Sequence, residues 1–181
     1  TVVVDPAEVK FFESVKTSGV LEELEAFRAP EESTATFKES EVVEEFETRF
    51  AEYHGAEHAV ATTSCTTALH LILMGLGVGP EDEVIVPSFT WVATANAVVH
   101  CGATPVFADV DPLSFNLDPN SLVTALTERT KAVIAVHLFG LCAEVERLRS
   151  VIPDGVFLVE DAACAVGASR RGAMAGNLGD A

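Results

Sequence analysis

Five short apolar runs recur along the chain with helix-length stretches between them, and this alternation limits the fold more than any other feature. The runs are HAVAT (58–62), EVIVP (83–87), TPVFAD (104–109), KAVIAVH (131–137) and VFLVE (156–160). Apolar residues at helical spacing mark 66–76, 90–100, 119–127 and 143–150 between them. Strands separated by helices need crossover connections, which lay the strands parallel and put helices on both faces. The expected fold is therefore α/β, a three-layer α/β/α sandwich with a mostly parallel sheet.

Outside that core, residues 1–36 look like a separate helical segment and linker. Val9, Phe12 and Val15, then Leu21, Leu24 and Phe27, mark two short amphipathic helices around Ser18 and Gly19. RAPEESTATFK (28–38) has the composition of a linker or surface loop. EVVEEFETRFAEYHG (41–55) places Val42, Phe46, Phe50 and Tyr53 on one helical face, with Gly55 as the expected C-cap. The last stretch, GASRRGAMAGNLGDA, predicts turns or a short hairpin.

Composition removes several classes of function. A net charge of −17 disfavours nucleic acid and anionic membranes as partners. No apolar run is long enough to span a bilayer, and the opening residues lack a basic-then-apolar signal pattern, so a soluble, cytoplasmic protein is expected. Cys65, Cys101, Cys142 and Cys164 form no CxxC pair. His54 and His58 have i,i+4 spacing, but Gly55 interrupts a helix between them. No metal site and no disulfide framework are expected.

Ligands of an open parallel sheet bind beyond the carboxyl ends of its strands. Three segments put distinctive residues there. TTSCTTALHL (62–71) runs from a strand into a helix through hydroxyls and a thiol. A helix start offers free N–H groups and partial positive charge to a phosphate, although plain N-capping also accounts for such residues. PSFTWVATANAV (87–98) sets the single tryptophan, Trp91, just after a strand, where an indole can stack on a flat ring or serve packing. VFLVEDAACAVGA (156–168) ends a buried run in Glu160 and Asp161 beside two small alanines. A carboxylate there can keep a ring nitrogen protonated, or act as a cap or surface ion pair. Together the three offer a phosphate cradle, a stacking surface and an anion, the set that pyridoxal 5′-phosphate (PLP) requires.

FETRFAEYHGAEHAVATTSCTTALHLIL, GVGPEDEVIVPSFTWVATANAVVHCGATPVFADVD, VHLFG and VEDAACAVGA…GNLGD closely resemble the DegT/DnrJ/EryC1/StrS family of sugar aminotransferases, over about residues 37–181. The resemblance implies part of the PLP-binding large domain of a fold-type I enzyme at 37–181, with the carboxyl-terminal small domain absent from this chain. It also implies transamination of a nucleotide-linked keto sugar, glutamate as amino donor, ping-pong half-reactions, and a homodimer with the active site at its interface. Matching positions make Cys65, Thr66 and Thr67 the phosphate binders, Trp91 the stacking residue, and Asp161 the partner of the pyridine nitrogen. Cys164 falls near the cofactor, where the family often has glutamine or histidine. Cys65 stands where a glycine or small residue is common.

Catalysis in the family depends on a lysine in a motif that follows GNLGDA, and the sequence ends at Ala181. The chain's lysines are Lys10, Lys16, Lys38 and Lys131, and none resembles that motif. Lys131 begins its strand, roughly 20 Å from the strand's carboxyl end at about 3.3 Å per residue. The expectation is an amino-terminal piece of a longer enzyme, with the Schiff-base lysine beyond Ala181. Two alternatives stay open: a sugar 3-dehydratase of the same family, working with pyridoxamine phosphate and a histidine at the lysine position, and a shortened, non-catalytic cofactor-binding or regulatory protein.

Overall fold

Alternate residues of each central strand face opposite helical layers, so the apolar runs are apolar on both faces. The computed structural model describes residues 2–4 and 39–181. Strand β1 (Val2–Val4) is followed by α1 (Glu39–His54), β2 (His58–Val60), α2 (Cys65–Gly75), β3 (Glu83–Pro87) and α3 (Ala93–His100). Next come β4 (Thr104–Ala108), α4 (Pro119–Ala125), β5 (Thr130–Val136), a 3-10 turn at Leu138–Gly140, α5 (Val145–Arg149) and β6 (Phe157–Asp161). A small antiparallel hairpin, β7 (Ser169–Arg170) and β8 (Ala173–Met174), stands near the end of the chain.

Four strands form the central sheet in the order β4-β3-β5-β6, all parallel. On one face Leu69, Ile72 and Leu73 of α2 and Ala97 and Val98 of α3 pack against Val84, Val86, Ile134 and Val159. On the other, Leu122 of α4 and Val145 and Leu148 of α5 pack against Ile85, Val133, Ala135 and Leu158. This is the expected three-layer α/β/α sandwich. Helices of five to eleven residues are marginal in isolation. Burial holds them, at about 1.5–3 kcal/mol for each large side chain removed from water. Ser64 caps α2 by accepting from the Thr67 N–H, and Asp118 caps α4 ahead of Pro119. Among the described residues no helix is long and apolar enough to cross a membrane.

Two readings of the sequence shift, and one contact was not foreseen. Helix α3 begins at Ala93 rather than residue 90, leaving 88–92 as the loop that carries Trp91. Strand β2 does not join the parallel sheet; it pairs antiparallel with β1. The outer edge of β6 is already engaged: Glu160 N–H donates to Ala181 O (2.7 Å) and Asp180 N–H to Leu158 O (2.7 Å). The amphipathic pattern between Val9 and Phe27 lies outside the described residues.

The closing segment is tied down further. The Leu158 N–H donates to Asp180 Oδ2 at 2.7 Å, and the Arg149 guanidinium pairs with the same carboxylate. Gly179 runs so close to β6 that a Cβ would lie 2.6 Å from Leu158 O. Gly179→Ala should therefore force the segment off the strand and cost about 2 kcal/mol, as overpacking does. Urea unfolding of the variant against the parent measures it.

Candidate active site

The strand β6 ends in two carboxylates that face opposite ways. Asp161 turns toward α2 and α3, Glu160 toward the glycine-rich segment 176–179. Asp161 is only 7% exposed. Its Oδ2 accepts from the Thr94 hydroxyl at 2.8 Å. Its Oδ1 accepts from the Cys65 thiol at 3.6 Å and from the Ala163 N–H at 3.3 Å. Thr94 also donates its backbone N–H to Trp91 O (3.2 Å). Three strand-end segments, distant in sequence, are thus joined around one carboxylate.

The first turn of α2 contributes Cys65, Thr66 and Thr67. A helix start leaves its leading N–H groups without intrahelical partners. The Thr67 N–H is satisfied by Ser64 Oγ (3.2 Å), and the Thr67 hydroxyl lies 3.0 Å from Ser64 Oγ and 3.1 Å from Thr63 Oγ1. The amides of Cys65 and Thr66 and this exposed set of hydroxyls are what the turn offers a ligand. Burial first, then the Asp161 charge and its hydrogen bond, push the Cys65 thiol up to about 12. It stays protonated and acts as a donor.

Trp91 is 78% exposed at the mouth of β3, with its indole uncovered. Cys164 is exposed, in the loop that follows β6. Lys131 sits next to Ala132, which pairs with Phe157 at the opposite end of β6 from Asp161. The sheet thus keeps Lys131 away from the carboxylate, as its place in the sequence requires.

Glu160 organises a second network that sequence reasoning left without a role. Its Oε2 accepts from His137 Nε2 (2.6 Å) and the Gly176 N–H (2.9 Å). Its Oε1 accepts from the Leu178 and Gly179 N–H groups at 2.6 and 2.5 Å. His137 is fully buried, and its Nδ1 accepts from the Ala143 N–H (3.0 Å), which places the ring proton on Nε2 facing Glu160. Burial pushes the Glu160 carboxyl up, but the His137 bond and the backbone N–H groups outweigh it and hold the carboxyl below the usual glutamate range. Thr94 was also missed; its signal was a hydroxyl four residues after Thr90 at a helix start following a strand, and Thr90 and Thr94 hydroxyls do meet at 3.3 Å.

Comparison with known proteins decides the family. The family model described as the DegT/DnrJ/EryC1/StrS aminotransferase family matches residues 19–181. The chain belongs to this family. GDP-perosamine synthase of Caulobacter vibrioides is 51% identical over 137 residues, covering 75% of this chain and 37% of that protein. UDP-2-acetamido-2-deoxy-3-oxo-D-glucuronate aminotransferase of Pseudomonas aeruginosa is 46% identical over 137 residues, covering 75% and 38%. A Streptococcus pneumoniae chain solved in its PLP form superposes with a TM-score of 0.74 at 32% identity, covering 91% of this chain and 45% of that one. The chain spans little more than a third of the length of the curated relatives it matches. Its sheet and helical layers are those of the fold-type I aminotransferases of this family.

The residues fit the cofactor that such neighbours carry. Among the described residues no Lys, Arg or His forms an ion pair with Asp161; its donors are a hydroxyl, a thiol and an amide. A buried carboxylate satisfied only by neutral groups still lacks a counter-charge, and a protonated ring nitrogen supplies one.

The Glu160 network gives the site a pH signature. Because its carboxyl titrates lower in the folded chain than in the unfolded one, Glu160 adds stability above the ordinary glutamate range. That contribution fades as pH falls through the lowered value. Glu160→Gln should lose about 3 kcal/mol of stability at neutral pH, because the His137 ring and three backbone N–H groups lose a charged acceptor. The deficit should shrink as pH falls below the ordinary glutamate range. Urea unfolding across pH checks both.

Proposed function

We propose that the whole protein is a PLP-dependent aminotransferase that moves an amino group from glutamate to a nucleotide-linked keto sugar. The observation that carries this reading is Asp161: a buried carboxylate at a strand end, with its oxygens aligned by neutral donors and no cation beside it among the described residues. The relatives' names support the substrate class, since one is a GDP-sugar synthase and another an aminotransferase of a 3-oxo UDP-sugar.

In this reading the amides of Cys65 and Thr66, with the Thr66 and Thr67 hydroxyls, bind the phosphate without a cationic side chain. The Trp91 indole covers one face of the ring and excludes water from it. Asp161 accepts the ring N–H and holds that proton in place, because an adjacent anion favours the charged form of its partner. Cys164 lines the approach from the loop after β6. PLP, when bound, supplies an electron sink for the carbanion formed at the substrate carbon. A homodimer with the site at its interface and a cytoplasmic setting complete the proposal.

The test is direct. Full-length protein with glutamate and a nucleotide keto sugar should yield the amino sugar and 2-oxoglutarate, with ping-pong kinetics. Asp161→Asn should lower kcat by about a hundredfold, a loss of the size seen when one electrostatic stabiliser is removed. Full activity in that variant, or no glutamate consumed by the parent protein, would sink the proposal.

A further inference from the structure

We propose that Thr94 and Cys65 are positioning residues for Asp161, each donating a hydrogen bond to a different carboxylate oxygen so that the group keeps one orientation at the mouth of the sheet. The inference rests on the reading of Asp161 as the partner of a ring nitrogen, and it adds what fixes that carboxylate in place.

Thr94 is fully buried at the second position of α3, and its hydroxyl lies 2.8 Å from Asp161 Oδ2. A hydroxyl has one proton to give. With that proton on Asp161, the 3.3 Å contact with Thr90 Oγ1 must run the other way, Thr90 donating and Thr94 accepting. The Thr94 backbone N–H holds Trp91 O at 3.2 Å. One residue therefore links the loop bearing the exposed indole to the buried carboxylate. A shift of either would be felt by the other.

Cys65 holds the second oxygen at 3.6 Å, from the first position of α2. Its thiol remains protonated through the neutral range, so it gives a hydrogen bond at every working pH. It also links the carboxylate to the helix start proposed to bind phosphate. Both donors are neutral, and that choice has a consequence. A lysine or arginine here would neutralise Asp161 and compete with a ring cation. A hydroxyl and a thiol fix the carboxylate's rotation and leave its charge available. Simple hydroxyl satisfaction at a helix start would need only a backbone carbonyl four residues back. Thr94 instead spends its proton 67 residues away in sequence.

The experiment uses full-length protein reconstituted with PLP, comparing Thr94→Val, Thr94→Ser, Cys65→Ala and Asp161→Asn. The readouts are PLP dissociation constant and the pH titration of the bound cofactor's visible absorption, neither of which a purely structural role would move in concert. Thr94→Val should weaken PLP binding by about tenfold, the worth of one hydrogen bond to a charged group. It should also displace the titration midpoint, and Thr94→Ser should restore both. Cys65→Ala should move both readouts in the same direction by about threefold in affinity, as expected for a weaker thiol donor. It carries the test alone if Thr94→Val does not fold. Wild-type affinity and midpoint in Thr94→Val and Cys65→Ala, with Asp161→Asn impaired, would overturn the positioning role and leave Asp161 in place. Wild-type affinity in Asp161→Asn would overturn the reading of Asp161 itself, and the positioning role with it.

Discussion

Keeping an anion at a buried strand end is the constraint on which the rest of this structure turns. A carboxylate taken out of water is costly unless it is hydrogen-bonded and faces a positive charge. Asp161 meets the first condition through Thr94, Cys65 and Ala163. Those partners come from the starts of α2 and α3 and from the loop after β6, which the packing of the helices on the sheet brings together. The second condition is not met by any side chain among the described residues, and in the proposed function a ligand's ring cation meets it. The sheet's register matters for the same reason. Val136 pairs with Asp161, so the strand ends of β5 and β6 finish level and open onto the same side.

The two carboxylates at the end of β6 divide the work between its faces. Glu160 turns inward to a cage of His137 and three backbone N–H groups, and in doing so holds the segment 176–179 against the strand. Its electrostatic needs are fully met within the chain. Asp161, among the described residues, has neutral donors only. Adjacent residues of a strand point to opposite sides. Two chemically similar groups can therefore sit one position apart and meet different partners, Glu160 the strand's edge segment and Asp161 the starts of α2 and α3.

Much of the layering was legible in the residues. Central strand boundaries at 83–87, 104–109, 131–137 and 156–160 agree with β3 to β6 within one residue; in β3, β5 and β6 this is because both-face burial leaves apolar runs that loops do not tolerate. The start of α3 was harder. Thr90 to Val92 continue an apolar-polar pattern compatible with a helix, yet the chain there is a loop, and hydropathy carries no signal for where a strand-to-helix turn stops. The HAV run of β2 has the composition of a sheet strand, and its pairing with β1 is not encoded in the run itself. Composition also could not rank the two carboxylates, since Glu160 gained its partners from His137 and from backbone groups that carry no sequence signature.

What the sequence by itself determined is the class of fold, the family, and the order in which a hydroxyl-rich helix start, an aromatic loop and a strand-end carboxylate follow one another. These follow from local patterns: periodicity, cap residues and short motifs written in consecutive positions. Tertiary structure alone decided that the Thr94 hydroxyl and the Cys65 thiol close on the same carboxylate, that Trp91 is tied to it through one backbone N–H, and that Glu160 faces away. Hydrogen bonds between residues 67 and 96 positions apart depend on sheet register and helix placement, which no local stretch of chain encodes.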